Sequence, residues 1–213
     1  MPWAVTVLEV GVAFLAGVFW WWLFEYVLHR WAFHEMKGKG IGSREHLEHH
    51  VKASWSFDYL LGLVWFGILL TGAVWGLLAA WVTSPAVGWG FGVGWALAYY
   101  FYEWEHRAAH LRPPSNQWHR WLRKHHFHHH FGHPLSNQGV TISLWDHVFR
   151  TDEDPGKVQV PRRLAMVWLL DEDGEVKPEY ADDYELVGSA AATDERQAAI
   201  DKARAYANLI PTP

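Results

Sequence analysis

The chain has 213 residues, half of them hydrophobic and 19% charged, and it contains 16 tryptophans. This composition is typical of a membrane protein, because tryptophan concentrates where a bilayer meets water. The absence of cysteine excludes disulfides, thiolate zinc sites and protein-bound iron–sulfur clusters, and a net charge of −5 without a basic block argues against nucleic-acid binding. Histidine and carboxylate remain as metal ligands, so the 15 histidines need an explanation.

Three apolar stretches predict membrane-spanning helices at about residues 3–28, 57–82 and 87–105. The first is interrupted only by Glu9 and Glu25, and it lacks the basic start and cleavage site of a secretory signal, so we expect it to be retained. The second and third are joined by Thr83, Ser84 and Pro85, which predicts a helical hairpin with a very short loop.

Lysine and arginine set the expected orientation. Five of these residues lie in 29–56 and five in 106–124, whereas the hairpin loop at 83–88 has none. The positive-inside rule places both basic segments in the cytoplasm. The histidine-rich segments that overlap them are then expected on the same side.

The C-terminal part differs in charge from the rest. Residues 151–213 hold 14 acidic and 7 basic side chains, a balance typical of a solvated segment. Residues 193–210 predict a short amphipathic helix. The sequence thus predicts an all-α fold: an integral-membrane helical bundle over residues 1–151, followed by an acidic cytosolic tail, 152–213.

Ten histidines form four clusters. They are His29 and His34; His46, His49 and His50; His106 and His110; and His126, His129 and His130. Residues at i, i+3 and i+4 share a helix face, so each of the last three clusters can direct its imidazoles at one point. His29 and His34, five residues apart, cannot share a face of a regular α-helix. Either the helix ends between them, or each serves a different metal ion.

The number of histidines indicates a dinuclear centre. A structural zinc site closes at about four ligands, so ten imidazoles are too many for one ion and suit two, each with a position left open. Imidazole binds iron, copper and zinc. Interfacial histidines, or an adventitious metal-binding tract at 125–130, are simpler explanations, but neither accounts for four clusters on one predicted side. The other five histidines are expected to be structural, interfacial or supporting: His119, His125, His128, His133 and His147.

Two other classes of protein compete with an oxygen-using enzyme. A membrane metal transporter or metal-binding protein would place ionisable residues along a path through the membrane, but residues 59–102 contain no charged residue. A zinc hydrolase would need a general base such as that of an H-E-x-x-H motif. That motif is absent, although Glu48 lies among the histidines.

The clusters and their flanks resemble the fatty acid hydroxylase / sterol desaturase superfamily. The matching segments, in family order, are HRWAFH at 29–34, HLEHH at 46–50, EWEHRAAH at 103–110, LRKHHFHHHF at 122–131 and NQGVTISLWDHVFRT at 137–151. In the fourth segment the family frame selects His126, His129 and His130, while a frame using His125 and His128 also fits. The closing segment contains Asn137 and Asp146, and Asp146 is expected to accept a hydrogen bond from a ligand imidazole.

The resemblance implies a catalytic domain over residues 1–151 with two iron ions, for which zinc could substitute in a purified sample. Such a centre uses O₂ to hydroxylate or desaturate a C–H bond of a fatty acyl chain, a sterol-like molecule or another membrane lipid. It implies a separate electron donor, a ferredoxin or a cytochrome b5-type protein with its reductase. Carotenoid hydroxylases, relatives with a similar histidine set, are the alternative.

Overall fold

A computed structural model of the chain describes residues 2–54, 59–189 and 195–213, and most of them are helical. The α-helices are α1 (Pro2–Val27), α2 (Ile41–Lys52), α3 (Tyr59–Val82), α4 (Pro85–Leu111), α5 (Gln117–Phe131), α6 (Leu144–Phe149) and α7 (Glu195–Tyr206). A π-helix over Leu28–Glu35 follows α1. Two short parallel strands, β1 (Val158–Pro161) and β2 (Tyr184–Val187), were not predicted by the all-α interpretation.

The chain forms two compact units. One, the apolar unit, contains residues 1–25 and 57–104, and the other, the histidine unit, contains residues 26–56 and 105–213. The predicted boundary at residue 151 therefore does not correspond to a structural division. Residues on both sides of it contribute to the histidine unit.

Glycines bring the helices of the apolar unit close together. A Cβ on Gly17 of α1 would collide with the carbonyl of Phe91 in α4, and one on Gly94 would collide with the carbonyl of Phe14. Small residues allow this approach of helix backbones where both helices are apolar. Trp21 and Trp95 then pack edge to face, with ring centroids 5.2 Å apart.

Two of the described helices are long and apolar enough to cross a membrane, over Thr6–Glu35 and Tyr59–Val82. They overlap the first two predicted spans, 3–28 and 57–82, of which residues 57 and 58 lie outside the described residues. The predicted hairpin is confirmed, because α3 ends at Val82 and α4 begins at Pro85. The third predicted span, 87–105, lies within α4, and its crossing of a membrane stays a prediction.

The acidic C-terminal part packs against α5, so its interpretation as a solvated tail was wrong. Its apolar side chains form a core with Phe127 and Phe131 of α5. The members from beyond residue 151 are Val158, Val160, Met166, Trp168, Leu169, Tyr180 and Tyr184. They alternate irregularly with acidic residues along the sequence, so no helical or strand periodicity reveals the buried face.

Helix α7 is present, but only part of its predicted apolar face is buried, since Ala205 and Tyr206 are half-buried. Ile200 is exposed, whereas Asp201 is buried and paired with Arg163, whose Nη2 lies 2.8 Å from a carboxylate oxygen. Loss of either partner would leave an uncompensated buried charge, which is strongly destabilising. Residues 193 and 194, at the start of the predicted helix, lie outside the described residues.

Trp168 gives a direct test of the packing around α5. Its indole nitrogen donates to the carbonyl of Ala109, and its ring contacts Tyr180 edge to face. We expect Trp168→Ala to lower the free energy of unfolding by about 3–5 kcal/mol, because it leaves a large cavity and an unpaired carbonyl. Chemical unfolding of the purified protein in detergent measures this change.

The matched control is Val167→Ala, in the same turn, because Val167 is 88% exposed. That substitution should change the free energy of unfolding by less than about 0.5 kcal/mol. Equal effects of the two substitutions would contradict the role of this core.

Candidate metal centre

The ten predicted histidines converge in two sets of five within the histidine unit. The first histidine group contains His29, His34, His46, His50 and His129, and the second contains His49, His106, His110, His126 and His130. Within each group the candidate ligand nitrogens all lie within 4.8 Å of one another. Neither group contains a carboxylate.

The π-helix explains how His29 and His34 reach the same group. In a π-helix the hydrogen bonds join residues five apart, so such residues lie about one turn above each other. Both expectations for this pair were therefore wrong. The helix does not end between them, and they do not belong to different groups.

Helices α2 and α5 each supply both groups. On α2, His46 and His50 belong to the first group and His49 to the second. On α5, His126 and His130 belong to the second group, while His129 points to the first. The expectation that each of these two clusters directs all its imidazoles at one point was wrong. In each cluster, the histidines at i and i+4 face one group, whereas the histidine at i+3 faces the other group.

The distances in the first group fit a single ion. The Nε2 atom of His46 lies 3.0 Å from that of His29, 2.9 Å from that of His34 and 3.1 Å from that of His50. Two nitrogens bound at about 2.1 Å and at right angles are about 3.0 Å apart, whereas tetrahedral ligands are about 3.4 Å apart. These separations therefore match an ion with more than four ligands.

Hydrogen bonds at Nδ1 fix which nitrogen faces the centre of the first group. His29 Nδ1 bonds to the carbonyl of Gln138, and His129 Nδ1 bonds to the carbonyl of Ser136 at 2.9 Å. A carbonyl cannot donate, so each Nδ1 carries the proton and each Nε2 presents a lone pair. This is the tautomer required of a metal ligand that binds through Nε2.

In the second group, two histidines are oriented in the same way. His49 Nδ1 donates to the carbonyl of Ser54, and His110 Nδ1 donates to that of Ala53, both at 3.0 Å. These carbonyls follow the end of α2, where Ala53 adopts a left-handed conformation with φ 46°. The Nε2 of His130 is buried and has no hydrogen-bond partner among the described residues. A buried nitrogen without a partner is unfavourable unless a ligand occupies the site.

Burial keeps these imidazoles neutral. Burial lowers the pKa of His49 to about 4. The hydrogen bond to the carbonyl of Ser54 raises this pKa, but its effect is smaller than that of burial. Burial also lowers the pKa of five further histidines well below the usual value, with neighbouring imidazoles adding to the effect. They are His46, His50, His126, His129 and His130. Neutral imidazoles are the form that binds metals.

Asp146 and Asn137 support the first group through a loop. The carboxylate of Asp146 accepts hydrogen bonds from the backbone nitrogens of Gln138 and Gly139, each at 2.7 Å. Asn137, at φ 51°, makes two hydrogen bonds with the backbone of Glu153. They hold the turn whose carbonyls orient His29 and His129. Among the described residues, the bonds to Asp146 do not come from an imidazole of either group, so the expected direct contact was wrong.

The five other histidines all lie near carboxylates and outside the two groups. The shortest nitrogen–oxygen distances are His119–Glu105 3.3 Å, His125–Asp146 3.7 Å, His128–Glu153 3.1 Å, His133–Glu153 2.7 Å and His147–Asp152 3.3 Å. The arrangement thus favours the frame with His126, His129 and His130 over the one with His125 and His128.

A family model for fatty acid hydroxylases matches residues 14–151, which include all ten grouped histidines. The chain belongs to the fatty acid hydroxylase family. The resemblance inferred from the histidine clusters is thereby confirmed.

Named relatives agree with the family assignment. A dihydroceramide fatty acyl 2-hydroxylase (FAH1) of Arabidopsis thaliana is 32% identical over 147 residues, covering 67% of this chain and 61% of that protein. The fatty acid 2-hydroxylase of Homo sapiens is 32% identical over 146 residues, covering 65% of this chain and 38% of that protein. The chain thus spans less than two thirds of the length of these relatives.

A solved structure shares the fold. It is described as full-length scs7p with only the hydroxylase domain visible, and it is 26% identical to this chain with a TM-score of 0.55. The match covers 71% of this chain and 64% of that one.

Sequence reasoning missed the groups that orient the histidines. Four are backbone carbonyls, of Ala53, Ser54, Ser136 and Gln138, and carbonyls carry no residue-specific signal. The fifth is the side chain of Asn208, which contacts His34 from beyond the family match. Asn208 lies inside the predicted helix, 193–210, so its position carried no signal for a contact with histidine.

His129 and its neighbour His128 give a matched pair for testing metal binding. We expect His129→Ala to lower the bound metal from about two ions per chain towards one, because it removes a ligand nitrogen from the first group. His128→Ala should leave the metal content unchanged, since His128 pairs with Glu153 outside the groups. Elemental analysis of both purified variants measures this. Equal metal loss would contradict the grouping.

The metal-free protein should lose stability as the pH falls from 7 to 5. An unfolded histidine titrates near 6.5, whereas burial lowers the pKa of His49 in the folded protein to about 4. The unfolded chain therefore takes up protons first, and stability declines as the pH drops through about 6.5. One such histidine accounts for about 2 kcal/mol at pH 5. Thermal melts of chelator-treated protein test this, and an unchanged melting temperature would contradict it.

Proposed function

We propose that the chain is a multi-pass membrane hydroxylase that uses O₂ to hydroxylate a C–H bond of a lipid acyl chain at a pair of iron ions facing the cytoplasm. One contact carries the proposal of a metal centre. The Nε2 atoms of His34 and His129 are 3.1 Å apart. Both rings donate through Nδ1, so the two nitrogens cannot hydrogen-bond to each other, and a cation between them would turn their repulsion into attraction.

Each histidine group would hold one iron ion through its five Nε2 atoms. The donor set fits iron, because imidazole is a suitable ligand for it and nine of the ten grouped histidines are buried. When bound, the iron pair supplies the redox chemistry that activates O₂, and neutral nitrogen ligands keep it electron-poor.

The protein's own residues hold the donors fixed and keep the centre dry. His29, His34 and His129 are at most 1% exposed, so water has no access to their rings. Neither group includes a carboxylate, and the carboxylate of Asp146 is held by backbone nitrogens of Gln138 and Gly139. The imidazole rings are thus oriented before any ion binds, so few side chains have to become ordered when an ion binds.

The proposed substrate is a fatty acyl chain of a membrane lipid, and the proposed position is the carbon next to the acyl carbonyl. The names of the similar proteins support this choice, since they describe fatty acyl 2-hydroxylases. They favour hydroxylation over desaturation, and an acyl chain over a carotenoid. The overall reaction consumes O₂, two electrons and two protons for each hydroxyl group formed, with water as the second product.

A separate donor is proposed to supply the electrons. The 213 residues contain no cysteine and therefore no site for a protein-bound iron–sulfur cluster. A ferredoxin, or a cytochrome b5-type protein with its reductase, would provide them one at a time.

The activity is tested by lipid analysis of cells that express the chain with a compatible electron donor. Acyl chains labelled with two deuterium atoms at carbon 2 should gain one oxygen and lose one deuterium. We expect His46→Ala to reduce this product on the order of 100-fold or more, because it removes a nitrogen at the centre of the first group.

His147→Ala is the matched control, since the side chain of His147 is 64% exposed and pairs with Asp152. It should retain activity within about twofold. An acyl chain with a new double bond in place of the hydroxyl group, an oxidised carotenoid in place of the acyl product, or full activity of His46→Ala would overturn the proposal.

A further inference from the structure

The C-terminal segment, residues 195–213, contacts the first histidine group. The family match ends at residue 151, yet Asn208 lies against His34. Its Oδ1 is 3.0 Å from His34 Nδ1, and its Nδ2 donates to the backbone carbonyl of His34 at 3.4 Å. The second contact fixes the orientation of the amide, since only the nitrogen can donate to a carbonyl. Oδ1 is therefore the acceptor for Nδ1–H of His34.

Asn208 also ends helix α7, which offers a purely structural explanation for its presence. It adopts a left-handed conformation with φ 56°. Its backbone N–H donates to the carbonyl of Ala205, and that of Leu209 donates to the carbonyl of Arg204. These two bonds form a Schellman motif, in which glycine and asparagine are the favoured residues. The cap requires the backbone conformation, whereas the contact with His34 requires the amide side chain.

The segment is fixed in place by contacts independent of Asn208. The buried Arg163 side chain binds Asp201 and donates to the carbonyl of Thr212 at 2.8 Å. Tyr206 donates to Glu48 of α2 at 3.2 Å, and Lys202 pairs with the same carboxylate. Glu48 lies on the helix that carries three histidines of the two groups, so α7 and these ligands are held together.

The neighbouring residues of the segment also lie beside the groups. Ala205, Leu209 and Pro211 line a small cavity together with His50 and His130. The segment therefore covers both groups, whereas its hydrogen bond to a grouped histidine is made to His34.

We propose that Asn208 is a positioning residue that holds His34 in the tautomer with the proton on Nδ1, so that the C-terminal segment forms part of the metal centre. Without this acceptor, the proton is free to occupy Nε2, where it faces the nitrogens of His46 and His129 and blocks an ion. The inference rests on the proposed function, in which the first group holds one of two ions.

The test compares Asn208→Gly and Asn208→Asp in the full-length protein. Glycine keeps the left-handed cap and removes the amide, whereas aspartate keeps an oxygen acceptor for Nδ1. Metal-free protein is loaded with Co²⁺, and release to excess chelator is followed by visible absorption. We expect about half of the bound Co²⁺ to leave Asn208→Gly about 10–100-fold faster than it leaves the wild type, while Asn208→Asp retains both ions.

Thermal unfolding of the metal-free proteins separates positioning from capping. The melting temperature of Asn208→Gly should stay within about 2 °C of the wild type, because the cap is conserved. Equal Co²⁺ release from Asn208→Gly and wild type would overturn the inference, as would faster release of both ions together with a lower melting temperature. A wild-type protein that binds no Co²⁺ would overturn the proposed function as well.

Discussion

The histidine unit depends on holding ten imidazoles together, with the Nε2 atoms of several pairs about 3 Å apart. Where both rings of a pair carry the proton on Nδ1, as in His34 and His129, the two facing lone pairs repel each other, so the fold has to hold these rings in place. It does so by giving several of them an oxygen acceptor at Nδ1, each bond contributing about 1 kcal/mol. The apolar core around α5 supplies the remaining stability. The same arrangement that is unfavourable without a cation becomes a binding site with one.

Two short turns orient much of the centre. The turn after α2 provides the carbonyls of Ala53 and Ser54 to the second group, and the turn after α5 provides those of Ser136 and Gln138 to the first. The second turn is itself held by Asp146. Asp146 thus fixes the backbone of the turn, and the carbonyls of that backbone orient the histidines. This is why a buried carboxylate can lie near ten histidines without entering their groups.

The sequence predicted the composition of the centre better than its geometry. Histidine spacing identified the ten members, and hydropathy located two apolar helices and the hairpin. The division into two groups of five was not predictable, because it depends on how α2 and α5 face each other in three dimensions. The π-helix was missed because the α-helical period was assumed for His29 and His34, although the five-residue spacing itself matches a π-turn. The packing of the C-terminal part was missed because its buried residues follow no regular period.

Because different turns orient the two histidine groups, the two groups can change separately in evolution. Since one turn orients histidines of one group and a different turn orients those of the other, a substitution in either turn acts on a single histidine group. The two halves can therefore acquire different affinities and different redox properties by independent steps. Helices α2 and α5, which contribute to both groups, are the parts that cannot drift in this way. The unit thus combines a shared frame with two independently adjustable halves.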